Sequence, residues 1–269
     1  MDQVIRDFPE QFAYNPVILN ATDGVVQVPQ NPSMIVVCGM GGSALPAEIL
    51  KMWRPGLPMI VHRNYGLPAF LEISAPENDP KDILVVASSY SGNTEETLSA
   101  YDEARKRGLP LAAIAVGGKL IEKAKQDKVP YIQIPDTGIQ PRMSLGFIVR
   151  ALCKLVGEND LLEETQELVS SLDVGTLESL GKKLAEEIRG KIPVIYASLE
   201  NYILAYDWKI KFNETGKIPA MFNVFPELNH NEMTGFDREG GTKNLSEPFH
   251  FILLKDQGDH PRLQKRMEI

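Results

Sequence analysis

The apolar positions of the first half of the chain come in short continuous runs, each closed by small polar residues. Residues 34 to 38, Met-Ile-Val-Val-Cys, end in glycines, which is how a strand buried on both faces reads. Residues 59 to 62 repeat the pattern more briefly, and Ile83 to Ser88 repeat it more strongly. Two further runs, Leu111 to Val116 and Tyr131 to Ile134, flank a Lys-rich helical stretch. Between the runs the period changes. Ala44 to Met52 reads as a helix with Pro46 tolerated in its first turn. Glu95 to Arg107 reads as an amphipathic helix with an acidic start, a basic end and Gly108 as its stop. A further helix is expected from Met143 to about Val156.

Strands alternating with helices predict an α/β fold with a parallel sheet, in which ligands bind outside the carboxyl ends of the strands. A charged helical stretch follows from 157 to 192, and residues 193 to 197, Pro-Val-Ile-Tyr-Ala, restart the strand-then-helix pattern. Two domains are therefore expected, 1–156 and 157–269, with Gly157-Glu158-Asn159-Asp160 at the boundary.

Composition narrows the classes. The chain has 269 residues, 43% of them hydrophobic and 24% charged, as in an ordinary soluble enzyme. Its net charge of −8 argues against a nucleic-acid partner. No apolar run approaches the roughly 20 residues that span a bilayer, and the N-terminus does not read as a signal peptide, so no membrane partner and a cytoplasmic location are expected. Cys38 and Cys153 both sit in apolar runs and read as buried free thiols of a reducing compartment. The four histidines show no clustered metal-ligand spacing. Neither metal nor cofactor is expected.

Two loops at the carboxyl ends of strands carry candidate chemistry. In Ser89-Tyr90-Ser91-Gly92-Asn93-Thr94, hydroxyls and backbone amides converge where a helix begins, an arrangement that favours an anion. The same residues also fit a Ser/Thr turn capping the helix. Gly92 would let the backbone approach a ligand. No Gly-Lys-Ser/Thr follows, so this is no Walker loop. In the first loop, Gly39-Met40-Gly41-Gly42-Ser43-Ala44, the dinucleotide fingerprint is met only weakly, because no acid-ended strand stands at the required distance. It reads as a tight turn or as a floor against which a sugar could lie, with Ser43 hydrogen-bonding it. Pro141-Arg142 opens a later helix, where Arg142 is either a solvated charge or a partner for a developing anion. From the residues alone, Glu214 and His230, in the second half, read first as a surface charge and a structural histidine.

In this order, Gly-Met-Gly-Gly-Ser, Ser-Tyr-Ser-Gly-Asn-Thr, Pro-Arg, Trp-Lys-x-x-x-Asn-Glu and Glu-Leu-Asn-His-Asn-Glu resemble the bifunctional phosphoglucose/phosphomannose isomerases of the sugar-isomerase-domain (SIS) superfamily. The resemblance implies two flavodoxin-like SIS domains, usually in a homodimer, acting on a phosphorylated hexose. It assigns the phosphate to Ser89, Ser91 and Thr94, and the sugar to Gly41, Gly42 and Ser43. It makes Arg142 the partner of the enediolate, Glu214 the base between C1 and C2, and His230 the ring-opening group, reaching into the partner subunit's site. The family continues with another strand and helix and a C-terminal lysine. This sequence ends at residues 266 to 269, Arg-Met-Glu-Ile, where a helix is expected to start, and Lys255 and Lys265 lack the family's context. The second domain is therefore expected to be incomplete, and a non-catalytic sugar-phosphate sensor or an inactive relative is the alternative to an isomerase.

Overall fold

The computed structural model describes residues 2–20, 28–29, 32–73, 80–236 and 239–268. The chain divides into two compact units, Met1–Leu172 and Asp173–Ile269.

The first unit runs α1 (Asp2–Arg6), β1 (Met34–Cys38), α2 (Leu45–Trp53), β2 (Met59–His62), α3 (Phe70–Ile73), β3 (Ile83–Ser88), α4 (Glu95–Arg107), β4 (Leu111–Ala115), α5 (Gly118–Gln126), β5 (Tyr131–Gln133), α6 (Leu145–Val156) and α7 (Asn159–Ser171). Its five strands are all parallel, in the flavodoxin-like order β2-β1-β3-β4-β5. Alternate residues of each strand enter separate cores. Ile35, Val37, Leu84 and Val86 pack with Ala47 and Leu50 of α2 and with Ile148 and Leu152 of α6. Val36, Val85 and Ala87 pack with Tyr101 and Ala104 of α4 and with Leu120 and Ala124 of α5. Burial on both faces is why these strands read as unbroken apolar runs.

The expected helix from Met143 is a 3-10 turn, Pro141–Met143, followed by α6. Gly157, with φ of 80°, ends α6 in the left-handed conformation and gives the boundary-like signal of the sequence. The chain nevertheless returns to the first unit. Leu161 and Thr165 of α7 are fully buried, and Arg150 of α6 donates to Leu162 O at 2.8 Å and to Thr165 Oγ1 at 2.7 Å. The compact units thus meet at 172/173 instead of 156/157.

The second unit runs α8 (Val174–Glu187), β6 (Ile192–Ser198), α9 (Tyr202–Lys211), β7 (Met221–Phe225), α10 (Lys243–Ser246), β8 (Phe249–Leu253) and α11 (Pro261–Arg266). Its sheet is parallel, in the order β7-β6-β8. One face holds Ile195, Ala197 and Ala205 with Trp208 and Phe212. The other holds Val194, Tyr196, Phe225, Leu228 and Met267. The helix expected to start near Arg266 ends there, because Pro261 opens it and His260 Nδ1 accepts from Arg262 N at 3.1 Å. Ile269 lies outside the described residues. Among the described residues, no helix is long and apolar enough to cross a membrane.

Candidate active site

In the first unit, β1 and β3 are neighbours, and the helices that follow them lie on opposite faces of the sheet. Their carboxyl ends therefore form the topological switch point, where open α/β sheets bind ligands. Both candidate loops start there.

The loop after β3 is held by its own hydroxyls. Ser89 Oγ shares a hydrogen bond of 2.8 Å with Thr94 Oγ1 and accepts from Gly92 N at 3.1 Å. Ser91 Oγ accepts from Asn93 N at 3.2 Å. Thr94 stands at the N-cap of α4, yet its hydroxyl makes no capping bond to the helix amides. The first turn of a helix carries unsatisfied N–H groups and the positive end of the dipole, so this is a site chemically suited to an anion. Ser89 is buried, Thr94 half-buried and Ser91 exposed.

Gly92 approaches protein backbone. It has φ of 71°, and a Cβ there would lie 1.8 Å from Gly117 O. Gly118 reciprocates: with φ of 68°, its Cβ would lie 2.5 Å from Ser91 O. Between them Leu120 N donates to Gly92 O at 2.9 Å and Lys119 N to Asn93 Oδ1 at 3.1 Å. The loop after β4 thus interlocks with the loop after β3. Sequence reasoning overlooked Gly117 and Gly118, although a glycine pair directly after a buried strand is a signal of close approach.

Ser43 ties the two candidate loops together. Its Oγ accepts from Tyr90 N at 2.9 Å, and its carbonyl accepts from Ser88 Oγ at 3.1 Å. The hydroxyl expected on the sugar is thus used as a brace. Gly42 is buried, and a Cβ there would lie 2.8 Å from Arg142 N and Cα, so this glycine sets the 3-10 turn of Arg142 against the first loop. Gly41, with φ of 49°, faces open space. Arg142 itself is only 9% exposed. Ser89, Thr94, Gly42, Ser43 and Arg142 are therefore brought to one edge of one sheet.

Both cysteines of this unit are free and buried, and burial pushes each thiol up to about 12. They are unreactive packing residues.

In the second unit, α9 runs into a π-helical turn, Phe212–Gly216, which carries Glu214 on an exposed surface. Such turns are rare and frequent at functional sites. Asn213 Nδ2 closes the turn by donating to Ile218 O at 3.0 Å. His230 ends a 3-10 turn, Glu227–His230, just beyond the carboxyl end of β7, and is exposed. Nearby Glu232 is bound on both carboxylate oxygens, accepting from Tyr196 Oη and from Asn223 Nδ2, each at 2.6 Å.

Residues 177–269 match the family model described as the bacterial phospho-glucose isomerase C-terminal SIS domain. Over 99% of its length the chain is 37% identical to the bifunctional phosphoglucose/phosphomannose isomerase of Aquifex aeolicus, covering 78% of that protein. The chain belongs to the bifunctional phosphoglucose/phosphomannose isomerase family. A more distant relative, the D-glucosamine-6-phosphate 4-epimerase of Sulfolobus acidocaldarius, is 33% identical over 78% of this chain and 66% of its own. The tagatose-6-phosphate ketose/aldose isomerase of Escherichia coli shares the fold, with a TM-score of 0.64 at 15% identity over 98% of this chain and 74% of that one.

Proposed function

We propose that this protein is an aldose–ketose isomerase that interconverts glucose 6-phosphate, and also mannose 6-phosphate, with fructose 6-phosphate. The observation that carries the reading is the hydroxyl-braced loop at the start of α4, lying at the switch point of a SIS-type sheet in a chain of this family. The phosphate would rest on Ser89, Ser91, Thr94 and the first amides of α4. The sugar would lie along Gly41, Gly42 and Ser43.

The chemistry follows from the residue types. His230 assists ring opening. The Glu214 carboxylate then takes the proton from C2 of the open aldose, and electrons move onto the C1 carbonyl oxygen to give an enediolate. Arg142 stabilises that anion. Return of the carbon proton to C1, with the hydroxyl proton passing from O2 to O1, gives the ketose. In the enediolate C2 is planar, so glucose and mannose 6-phosphates share one intermediate and differ only in the face of C2 that is reprotonated. The reading includes a homodimer and a cytoplasmic setting, the latter supported by two buried free thiols.

Glu214→Gln tests the assignment. The variant should lose about 10²- to 10⁴-fold in isomerisation rate while binding a non-isomerisable hexitol 6-phosphate as tightly as the parent. Equal rates would remove Glu214 from the role of base. A parent that binds the hexitol phosphate but turns over no hexose phosphate would be a sensor. Product analysis by NMR separates C2 chemistry from the C4 epimerisation named for the Sulfolobus relative.

A further inference from the structure

The segment that carries His230 is fixed on both sides by apolar anchors. Leu228 is fully buried, and Met233 packs against the same cluster as Val194, Tyr196 and Phe225. Between these anchors the 3-10 turn ends at His230, and Asn231 breaks it with φ of −145° and ψ of −69°. Two apolar contacts bracket such a stretch without setting the direction in which His230 points. The polar bonds of the turn add further constraints.

Asn231 Nδ2 donates to Glu227 Oε1 at 2.8 Å, and Asn231 Oδ1 accepts from Glu232 N. Glu232 is then gripped from the sheet. Its two donors, Tyr196 and Asn223, are register partners on β6 and β7, so neighbouring strands present one donor each to one carboxylate. The Tyr196 ring is itself held edge-on against Phe225, with centroids 6.0 Å apart. Burial and the adjoining Glu232 carboxylate raise the Tyr196 hydroxyl well above its usual range, which keeps it a donor. At 2.6 Å each, both bonds are short.

We propose that Glu232 is the positioning residue for His230, with its carboxylate, clamped by Tyr196 and Asn223, fixing the turn that presents the imidazole. The assignment rests on the isomerase reading for the role of His230. The geometric claim is independent of that role.

The test uses the whole chain in the variants Glu232→Gln, His230→Gln, their double, and Glu232→Gln combined with Asn223→Asp. In the last of these, the new amide on the turn would donate to the new carboxylate on β7 and accept from Tyr196, which reverses one bond and restores the clamp. With ¹³C-labelled histidine, the His230 ring signal, assigned by its loss in His230→Gln, should be single and sharp in the parent. It should broaden or split in Glu232→Gln and sharpen again in the swap. Turnover of fructose 6-phosphate should fall in kcat by about tenfold to a hundredfold in Glu232→Gln, with KM little changed, as expected for a misplaced group. That fall should vanish in the His230→Gln background and be recovered in the swap. An unchanged ring signal in Glu232→Gln would overturn the proposal, as would an equal loss of kcat with and without His230, or a swap that fails to restore either readout. An inactive parent would sink the isomerase reading alone, and the ring signal would still decide for or against the clamp.

Discussion

Two segments at carboxyl edges, one in each unit, differ in what locks them to their surroundings. Residues 89–94 are braced internally by small hydroxyls and locked to the loop after β4 by backbone. Gly92 sits where a Cβ would lie 1.8 Å from Gly117 O, Leu120 N reaches Gly92 O, and Val116 N reaches Tyr90 O at 2.9 Å. Residues 226–235 are held by side chains, through Leu228, Met233, Asn231 and the doubly bound Glu232. A backbone-held loop is rigid and indifferent to side-chain charge, but it has no room for a methyl group. A side-chain-held loop accepts changes of volume at its tip, yet depends on particular donors and a particular charge. Rigid amides suit a phosphate of fixed shape, whereas a proton-transfer group needs its angle set.

Breaking the backbone interlock should have the largest effect on stability. Gly92→Ala combines a left-handed φ with a collision against backbone, and should destabilise the first unit by about 3 kcal/mol. Gly41→Ala is the matched control, because its φ is also positive but its Cβ would meet nothing within 4 Å, and it should cost only about 1 kcal/mol. Urea unfolding followed by hydrogen exchange of β3 and β4 measures both. Equal losses for the two would mean that strain alone, and not the interlock with Gly117, holds the loop.

Ser43→Ala probes the brace between the loops. It removes the acceptor from Tyr90 N, a buried amide, and should cost about 2 kcal/mol, the usual range for orphaning a buried donor. Sugar-phosphate affinity, measured by calorimetry, should fall through displacement of the 89–94 loop. If stability holds and affinity alone drops, Ser43 touches the ligand as the resemblance implied.

The same contrast governs how much could be read from the chain. The five strands of the first unit, β6, α2 and α4, and the loops at 39–43 and 89–94, were legible because burial on two faces and close backbone approach both demand particular residue types, namely apolar runs, glycines and small hydroxyls. β7 and β8, only partly buried, were not. Nor was the unit boundary. α7 turns a charged face outward and conceals that Leu161 and Thr165 are wholly buried. The double clamp on Glu232 was also hidden, since Tyr196 stands 36 residues away and meets it only through the pairing of β6 with β7. Periodicity reports what lies on a face. It does not report which donor on that face meets which acceptor.

Two carboxylates of the second unit extend the contrast to pH, with opposite signs. Asp173 caps α8, accepting from Thr176 Oγ1 at 2.6 Å and from Thr176 N at 3.1 Å, and these bonds hold its carboxyl below the usual range. A depressed folded value means that its contribution to stability is present above the unfolded value of about 3.9 and is lost as pH falls through the lower folded one. Asp207 on α9 is pushed upward by burial, partly offset by Lys211 at 3.5 Å. A raised folded value means that its contribution is present below about 3.9 and is lost as pH rises through the higher folded one. Asp207→Asn should therefore gain in melting temperature over the parent as pH rises above about 4, the ordinary carboxylate value. Asp173→Asn should fall behind the parent as pH rises from acid toward that value, and by less, because the cap is fully exposed and screened by solvent. Melting curves at several pH values would show the two differences diverging. Parallel curves would mean that neither hydrogen bonding at the exposed cap nor desolvation on α9 distinguishes the folded carboxylates from the unfolded ones.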